Sequence, residues 1–437
     1  MRYTDKPNQG QHLLFHRLLA PVLFFTGAVF IFCGIFGTTA FADGFGGWSE
    51  RHTIDSTCSD PFDVTTADFD NDKDMDIAVA ESHQVVWYAN NGTQSFTEYT
   101  VTGSLTGTVS VYAADVDGDG DTDILGADET LDYVFWCEND GSPANGTWEK
   151  HILPGEFNGA RSVSCLDIND DGDMDVLAAA KDGDTIAWWE NDGDENFTYH
   201  SIDEDYKAYD VIATDIDGDG DIDIVGVAGN EAITWWANNG SANFRPHVVD
   251  AGFTSGYAVH TGDIDGDDDI DIVASVGEGP GSLTWWANDG TPGNGGWVAE
   301  NLTDVYVCWS VQAVDLDSDD DMDVLSGSLS GYEVDWWDND GSESFTKSTV
   351  ADEFEPASLR ASDIDQDGWY DVVGVDAGEP GGSTDILAWW ENQNEGQGPV
   401  PPVPELPALV LLGCGMVVAA GFIMYKQRRQ AETPARW

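Results

Sequence analysis

An acidic nonapeptide recurs along this chain of 437 residues. In the copy at 215–223 the sequence reads DIDGDGDID, so aspartate occupies every odd position of the loop. Five like charges at this spacing repel one another strongly unless a cation lies among them. Oxygen ligands at alternate loop positions suit a hard divalent ion, above all calcium. The pattern therefore predicts a calcium-binding loop.

Seven such loops begin at aspartates that lie 47 to 52 residues apart. The predicted ligands are the side chains at positions 1, 3, 5 and 9 and the backbone carbonyl at position 7. In chain order they are Asp68, Asp70, Asp72, Asp74 and Asp76; Asp115, Asp117, Asp119, Asp121 and Asp123; Asp167, Asn169, Asp171, Asp173 and Asp175; Asp215, Asp217, Asp219, Asp221 and Asp223; Asp263, Asp265, Asp267, Asp269 and Asp271; Asp315, Asp317, Asp319, Asp321 and Asp323; Asp363, Asp365, Asp367, Trp369 and Asp371. Up to seven calcium ions are predicted. Solvated acidic turns without metal are the alternative.

Position 6 of each loop requires a residue that tolerates a positive φ, because the chain turns sharply there. Glycine occupies it in four loops, at Gly120, Gly172, Gly220 and Gly368. Asp268 and Asp320 tolerate this conformation, whereas Lys73 does so poorly and adds a positive charge. The first loop is therefore the weakest candidate, and the fifth and sixth are also less favourable than the rest.

Each repeat reads as a four-stranded antiparallel meander. In the fourth repeat, strands are predicted at 208–214, 222–228, 232–237 and 244–249, with the acidic loop after the first strand and an Asn-Asn-Gly turn at 238–240. A unit of about 48 residues has the size of a propeller blade. The chain is thus predicted to be all-β, a seven-bladed β-propeller.

Paired aromatic residues in the third strand of each unit support the propeller. Neighbouring residues of a strand point to opposite faces of the sheet, so a pair of large apolar residues requires burial on both faces. A blade between two other blades meets that requirement, and a sugar-binding platform of tryptophans is the alternative. The pairs are Trp87-Tyr88, Trp136-Cys137, Trp188-Trp189, Trp235-Trp236, Trp285-Trp286, Trp336-Trp337 and Trp389-Trp390.

The first strand of each unit is predicted to be innermost, because small residues and valine recur close to the acidic loop. At the other end of these strands the residues vary and include Arg161, Tyr209, Tyr257 and Trp309. If a mouth of the channel binds a ligand, these four residues are the predicted ligand face. Ordinary filling of a widening channel is the alternative.

The seventh unit ends without a fourth strand. A matching segment, 48–54, precedes the first unit and is predicted to pair into the last blade, which closes the ring and removes its edges. His52, His151, His200 and His247 occupy corresponding places in this outer strand, and their recurrence indicates a structural role.

The two ends of the chain predict export. Residues 1–42 combine basic residues, an apolar run and Ala40-Phe41-Ala42, as in a secretory signal peptide; an uncleaved anchor is the alternative. The propeller at 43–396 precedes a proline-rich linker at 397–405. An apolar run at 406–425 is long enough to cross about 30 Å of hydrocarbon, and the basic tail at 426–437 is predicted to be cytoplasmic.

Composition argues against two classes of protein. A formal net charge of −66 disfavours binding to nucleic acid. Hydrophobic residues make up 41% of the chain, which is not typical of an acidic disordered protein. The cysteines between the ends, Cys58, Cys137, Cys165 and Cys308, do not recur between repeats, so no disulfide is predicted.

The repeats resemble the FG-GAP/VCBS family of calcium-binding propeller repeats, which also form the head of integrin α-chains. The resemblance rests on the acidic loop, on the preceding Val-x-Ala-x-Asp strand, as at 211–215, and on the Trp-Trp-x-Asn-Asp-Gly turn, as at 188–193. It covers about residues 46–394 and implies seven blades with calcium between the first and second strands.

The tail, with Val403-Pro-Glu-Leu-Pro407 before the apolar run, resembles PEP-CTERM sorting segments, although Leu406 departs from the commonest form. That resemblance implies a sorting peptidase, and a plain transmembrane anchor is the alternative.

These observations predict an exported, surface-anchored, non-catalytic module for adhesion or for binding protein or polysaccharide. A structural coat protein and a polysaccharide-acting enzyme are the alternatives. The sequence has no Ser/His/Asp set, no zinc-ligand spacing and no unrepeated cluster of histidine, lysine and arginine, which argues against the enzyme.

Overall fold

A computed structural model describes residues 47–145, 148–277, 281–303, 307–376 and 385–393. The predicted signal peptide, linker, apolar helix and basic tail lie outside these residues. Within them, the structure is built from β-strands and two short 3₁₀ turns, Pro143–Asn145 and Pro292–Asn294. No helix in the described residues is long and apolar enough to span a membrane.

The strands form seven four-stranded antiparallel sheets, which we number as blades 1 to 7. Blade 1 contains β2 (Pro61–Ala67), β3 (Asp76–Glu81), β4 (Gln84–Asn90) and β5 (Phe96–Gly103); blade 2 contains β6 (Thr108–Ala114), β7 (Asp123–Asp128), β8 (Tyr133–Glu138) and β9 (Glu149–Ile152); blade 3 contains β10 (Ala160–Leu166), β11 (Asp175–Ala180), β12 (Thr185–Asn191) and β13 (Phe197–Asp203); blade 4 contains β14 (Ala208–Thr214), β15 (Asp223–Ala228), β16 (Ile233–Ala237) and β17 (Arg245–Asp250). Blade 5 contains β18 (Gly256–Gly262), β19 (Asp271–Val276), β20 (Leu283–Ala287) and β21 (Val298–Thr303); blade 6 contains β22 (Cys308–Val314), β23 (Asp323–Ser328), β24 (Glu333–Asn339) and β25 (Phe345–Asp352); blade 7 contains β26 (Pro356–Ser362), β27 (Asp371–Asp376), β28 (Ile386–Trp390) and the N-terminal strand β1 (His52–Asp55).

The first strand of every blade is innermost, as predicted. Each first strand contacts the first strand of the next blade, and β26 of blade 7 contacts β2 of blade 1, so the seven blades form a closed ring. Strand β1 pairs with β28 as the fourth strand of blade 7, and Trp48 forms a further bridge to Asn392. The predicted closure by the N-terminal segment is therefore confirmed.

Hydrogen bonds from side chains cover the free edges of the inner strands. Each inner strand pairs with only one neighbour in its own sheet, so its other edge would leave backbone donors unpaired. Between blades 1 and 2, the Val111 amide donates to the Asp63 carboxylate at 3.0 Å. Between blades 6 and 7, the Leu359 amide donates to the Ser310 hydroxyl at 3.0 Å. These contacts link neighbouring blades around the axis.

The hydrophobic core consists of seven clusters, each between two adjacent blades. The aromatic pairs explain this arrangement. Trp188 packs between blades 3 and 4, whereas Trp189 packs between blades 2 and 3. Both are almost fully buried. The prediction of core packing is confirmed, and the tryptophan pairs do not form an exposed platform. The four described cysteines are buried and free of disulfides.

Candidate metal centres

The seven acidic loops connect the first and second strands of the blades and fold in the same way. In the fourth loop, Asp215 at position 1 accepts the amides of Asp219 and Gly220 at 3.1 Å and 3.0 Å. Asp219 at position 5 accepts the amide of Asp221 at 3.0 Å. The carboxylates thus hold the loop backbone through its own N–H groups, and the loop closes around its acidic side chains.

The side chains at positions 1, 3 and 9 converge in the folded loops. Ligand oxygens of Asp215, Asp217 and Asp223 all lie within 4.8 Å of one another. The same holds for the corresponding residues of three other loops, which are Asp68, Asp70 and Asp76; Asp115, Asp117 and Asp123; and Asp263, Asp265 and Asp271. Three carboxylates that share one small volume form a site that could hold a metal ion.

Some carboxylate oxygens in these loops lack a hydrogen-bond partner. Oδ1 of Asp115 and Oδ1 of Asp363, both at position 1, are buried and unpaired within the described residues. A buried anionic oxygen without a partner is costly. A divalent cation bound by oxygens would satisfy these atoms, so the donor set fits calcium.

The acidic groups raise one another's pKa in addition to the effect of burial. Burial, together with the charge of Asp267, raises the pKa of Asp265 to about 6. Burial and the charge of Asp319 raise the pKa of Asp317 above its ordinary value. The loops therefore favour any partner, proton or metal ion, that supplies positive charge.

Two positions of each loop have a left-handed backbone. Position 6 has φ values from 77° to 99°, so the prediction of a positive φ there is confirmed, including at Lys73 with φ 81°. Position 4 also has a positive φ in every loop, which sequence reasoning missed. Its residues are Asn71, Gly118, Asp170, Gly218, Gly266, Ser318 and Gln366. Glycine or asparagine at four of these positions was the available signal.

The aspartate at position 9 is the most deeply buried acid of each loop, with no solvent exposure in any blade. Asp223 accepts the amide of Ile216, at position 2, on one oxygen and the amide of Asn238 on the other, at 3.1 Å and 2.7 Å. Burial raises the pKa of the seven position-9 carboxyls to about 7 or about 8. This residue anchors the start of the loop to the end of the third strand.

An asparagine after each aromatic pair connects neighbouring loops. The Asn238 amide nitrogen Nδ2 donates to the Ile222 carbonyl of its own loop at 3.0 Å and to the Ile168 carbonyl of the preceding blade's loop at 3.3 Å. The equivalent pair of bonds occurs in all seven blades, from Asn90, Asn139, Asn191, Asn238, Asn288, Asn339 and Asn392. We call this row the asparagine clamp. The sequence alone indicates only turn formers at these positions.

The loops are not chemically identical. In the third loop, Asn169 replaces the aspartate at position 3, and its side-chain amide donates to Asp171 at 2.9 Å. In the seventh loop, Trp369 at position 7 is buried, and its amide donates to Asp367 at 2.9 Å. Asn169 still offers its side-chain oxygen, and position 7 was predicted to contribute only its backbone carbonyl. Neither difference therefore removes a predicted metal-ligand atom.

The four residues of the predicted ligand face come together at the end of the inner strands away from the acidic loops. The Tyr257 and Trp309 rings stack with their centroids 5.2 Å apart and an interplanar angle of 14°. The Tyr209 ring centroid lies 5.6 Å from that of Tyr257. Arg161 donates to the Tyr257 hydroxyl and lies over the Tyr209 ring. We call these four residues the far-mouth cluster.

Two residues that sequence reasoning did not identify complete this cluster. The Glu129 carboxylate forms salt bridges with Arg161 and Lys181, each with an N–O distance of 2.9 Å. Burial alone would raise the pKa of Glu129, but Lys181 and Arg161 outweigh it and lower that pKa below its ordinary value. Glu129 directly follows β7 of blade 2, and Lys181 directly follows β11 of blade 3. Arg161 lies on β10, which pairs with β11 in blade 3, whereas Glu129 reaches Arg161 and Lys181 only where blade 2 packs against blade 3, which local sequence does not show.

Comparisons with known proteins agree with this architecture. A family model described as an FG-GAP-like repeat matches residues 68–126, 115–178, 167–226, 215–274 and 263–326, together more than half of the chain. No curated protein matches the chain.

Solved structures are similar in fold at low sequence identity. BBS1N in complex with ARL6DN has a TM-score of 0.55 at 10% identity, over 78% of this chain and 96% of that one. Hydrazine synthase from Kuenenia stuttgartiensis has a TM-score of 0.52 at 12% identity, over 76% and 96%. Raptor from Chaetomium thermophilum has a TM-score of 0.52 at 13% identity, over 81% and 30%. Such different proteins on one scaffold show that the fold alone does not define a function.

Proposed function

The chain belongs to the FG-GAP-like repeat family, and on that premise we propose that it is a calcium-stabilised, non-catalytic binding module. The observation that carries the proposal is the convergence of the position 1, 3 and 9 carboxylates in the acidic loops. Calcium would supply the positive charge that these carboxylates otherwise lack. The side chains at positions 1, 3, 5 and 9 and the carbonyl at position 7 would hold it.

The calcium part of the proposal is supported by the unpaired buried oxygens of Asp115 and Asp363 and by the repulsion within the loops. Each loop joins the two innermost strands of a blade, and the asparagine clamp joins it to the next blade. An ion in the loop would therefore stabilise the ring and not only the loop. Extracellular sites of this type have dissociation constants of about 10⁻⁴–10⁻³ M, so a chelator should remove the ions.

The binding part of the proposal rests on the far-mouth cluster. Aromatic rings of three neighbouring blades form a row beside the Arg161 guanidinium, a combination that suits polysaccharide or protein ligands. The indole nitrogen of Trp309 is buried without a hydrogen-bond partner in the described residues. A structural coat would need no such surface, and the cluster would then only fill the mouth of the channel.

The proposed location is the outer face of a membrane. The signal-like segment 1–42 would direct export, and the apolar segment 406–425 would anchor the chain, with a sorting peptidase as a further partner. The proposed ligands are extracellular protein or polysaccharide. The formal charge of −66 favours exclusion of nucleic acid.

Thermal unfolding tests the calcium proposal. The full chain is melted in millimolar calcium, in EDTA and in millimolar magnesium. We expect a large calcium-specific rise in Tm, because calcium binds the folded loops and not the unfolded chain. Equal melting temperatures in the three buffers would overturn the calcium assignment.

Binding to immobilised cellulose, chitin, xylan and alginate in calcium tests the ligand face. We expect at least one of them to retain the full chain and Trp309→Ala to release it while the calcium-dependent Tm is kept. Retention that is unchanged by Trp309→Ala would show that the far-mouth cluster is not the ligand site.

A further inference from the structure

A group of metal-ligand side chains lies on the outer strands of blade 2, outside the ligand set of the acidic loops. Glu138 ends β8, and Glu149 and His151 lie on β9. One ligand atom from each of the three residues lies within 4.8 Å of the other two. The group combines an imidazole nitrogen with two carboxylates, so its chemistry differs from that of the all-oxygen loops.

The two glutamates form an unfavourable pair unless positive charge lies between them. Glu138 and Glu149 are direct cross-strand partners, and like charges directly opposite each other destabilise a sheet. Lys150 does not relieve this repulsion, because adjacent strand residues point to opposite faces. Its ammonium lies over the Tyr133 and Phe135 rings, at 5.7 Å and 5.6 Å.

The imidazole of His151 is already oriented toward the carboxylates. Its ring stacks on the Trp136 indole at 4.4 Å with an interplanar angle of 17°. That stacking leaves Nε2 directed at Glu138, 2.9 Å from a carboxylate oxygen. His151 and Glu138 are both about two-thirds buried, with 29% of each side chain exposed, so the ligand atoms are partly shielded and still open to an incoming ion.

Blade 3 shows which part of this arrangement is general. His200 stacks on Trp188 at 4.7 Å and binds Glu190 at 2.8 Å, as in blade 2. The residue two positions before this histidine is Thr198, where blade 2 has Glu149. The histidine stack is thus a repeated structural feature, and the second carboxylate is the ligand that blade 2 has and blade 3 lacks.

We propose that Glu138, Glu149 and His151 bind a divalent transition-metal ion, for which Zn²⁺ is the appropriate probe. One imidazole nitrogen and two carboxylate oxygens are ligands that zinc accepts. Calcium prefers six to eight oxygens and would remain in the acidic loops. Three protein ligands leave a coordination position for water or for a group on a bound partner.

Calorimetric titration of the full chain with Zn²⁺ in excess calcium tests this site, since calcium occupies the loops. We expect one zinc ion per chain at this site. Second-sphere substitutions lower metal affinity by about 10–100-fold, so the direct-ligand variant Glu149→Gln should lose at least about tenfold. Glu149 is exposed and faces Glu138, so in the absence of zinc this variant should fold and have a Tm equal to or slightly above that of the parent chain.

Blade 3 supplies both the matched control and a gain-of-site test. His200→Gln removes an equivalent stack and hydrogen bond and should leave zinc affinity unchanged. Thr198→Glu installs the missing carboxylate and should add a second zinc ion. The inference is overturned if zinc does not bind in calcium, if Glu149→Gln binds like the parent, or if Thr198→Glu adds no site; His151 and Glu138 would then form only a hydrogen-bonded pair.

Discussion

At the scale of single residues, the acidic loop depends on two left-handed backbone positions as much as on its carboxylates. Position 6 is glycine with φ near 98° in four loops, but in the first loop Lys73 adopts φ 81°. The left-handed region costs an L-residue about 1–2 kcal/mol. The first loop therefore holds strain at the place where its amide binds Asp68 at 2.9 Å, and it also carries a positive charge beside the metal ligands.

Replacing Lys73 with glycine should stabilise the protein. We expect Lys73→Gly to raise the free energy of unfolding by about 1 kcal/mol, because the strain is removed at a modest entropic cost. Denaturant unfolding with and without calcium measures this, and the gain should be larger in calcium. The control is Gly172→Ala, at a position with φ 99° and with open space where the new Cβ would lie. It should lower the free energy of unfolding. Equal effects of the two variants would contradict the backbone argument.

The position-9 aspartates predict how the metal-free protein responds to pH. Burial raises their pKa from the ordinary 3.8 to about 7 or about 8 in the folded state. The folded protein then binds protons more tightly than the unfolded chain. This contribution to stability is complete below about pH 4 and is lost as the pH rises through about 7 to 8.

We therefore expect the Tm of calcium-free protein to fall between about pH 5 and about pH 8. Calcium should reduce or reverse the fall, because it favours the ionised carboxylates. Thermal unfolding across this pH range, with calcium removed by desalting or added in excess, measures the difference. Parallel curves with and without calcium would show that these carboxyls do not couple to metal binding.

At the scale of elements, the asparagine clamp makes each acidic loop part of two blades. Asn238 directly follows β16, and its side-chain amide donates to a carbonyl of blade 3. That carbonyl belongs to Ile168, whose amide donates to Asp175 at 3.0 Å. The same short segment is thus held by its own blade through the amide and by the next blade through the carbonyl.

Removing one clamp should cost more than removing a surface asparagine. Asn238→Ala leaves the Ile222 and Ile168 carbonyls without their donor, and we expect a loss of about 2–4 kcal/mol in the free energy of unfolding. Asn239→Ala is the matched control, since that neighbour is exposed and should change stability by less than about 0.5 kcal/mol. Denaturant unfolding compares the two. A clamp variant as stable as the control would mean that water replaces the lost bonds.

The clamp also marks the limit of prediction from sequence. The loops, strands and aromatic pairs were predictable because each is a local pattern that recurs. Asn238 was identifiable only as a turn residue, because its second acceptor lies 70 residues away in another blade. Glu129 was missed for the same reason: it lies in blade 2 and reaches Arg161 and Lys181 of blade 3 only when the two blades pack together. Arg161, Tyr209, Tyr257 and Trp309 were found because corresponding positions of a repeat must share one end of the ring.

At the scale of the whole molecule, stability depends on closing the ring. Every hydrophobic cluster lies between two blades, so a blade cannot bury its faces alone. Blade 7 is completed by β1, which comes from the opposite end of the propeller sequence. Pairing of β1 with β28 is therefore the contact that joins the first and last parts of the ring, and it also covers an edge that could pair with other chains.

A disulfide across this contact tests its importance. Thr53 and Ala388 are cross-strand partners, and antiparallel partners have Cα atoms about 4.5–5.5 Å apart, within the range of a disulfide. We expect the free energy of unfolding of the variant carrying Thr53→Cys and Ala388→Cys to rise by up to about 5 kcal/mol, because the disulfide closes a loop that contains nearly the whole ring. Denaturant unfolding before and after reduction measures the gain, and the two single variants are controls. If mass spectrometry shows a complete disulfide and reduction does not change the free energy of unfolding, closing the ring at β1 and β28 does not limit the stability of the protein.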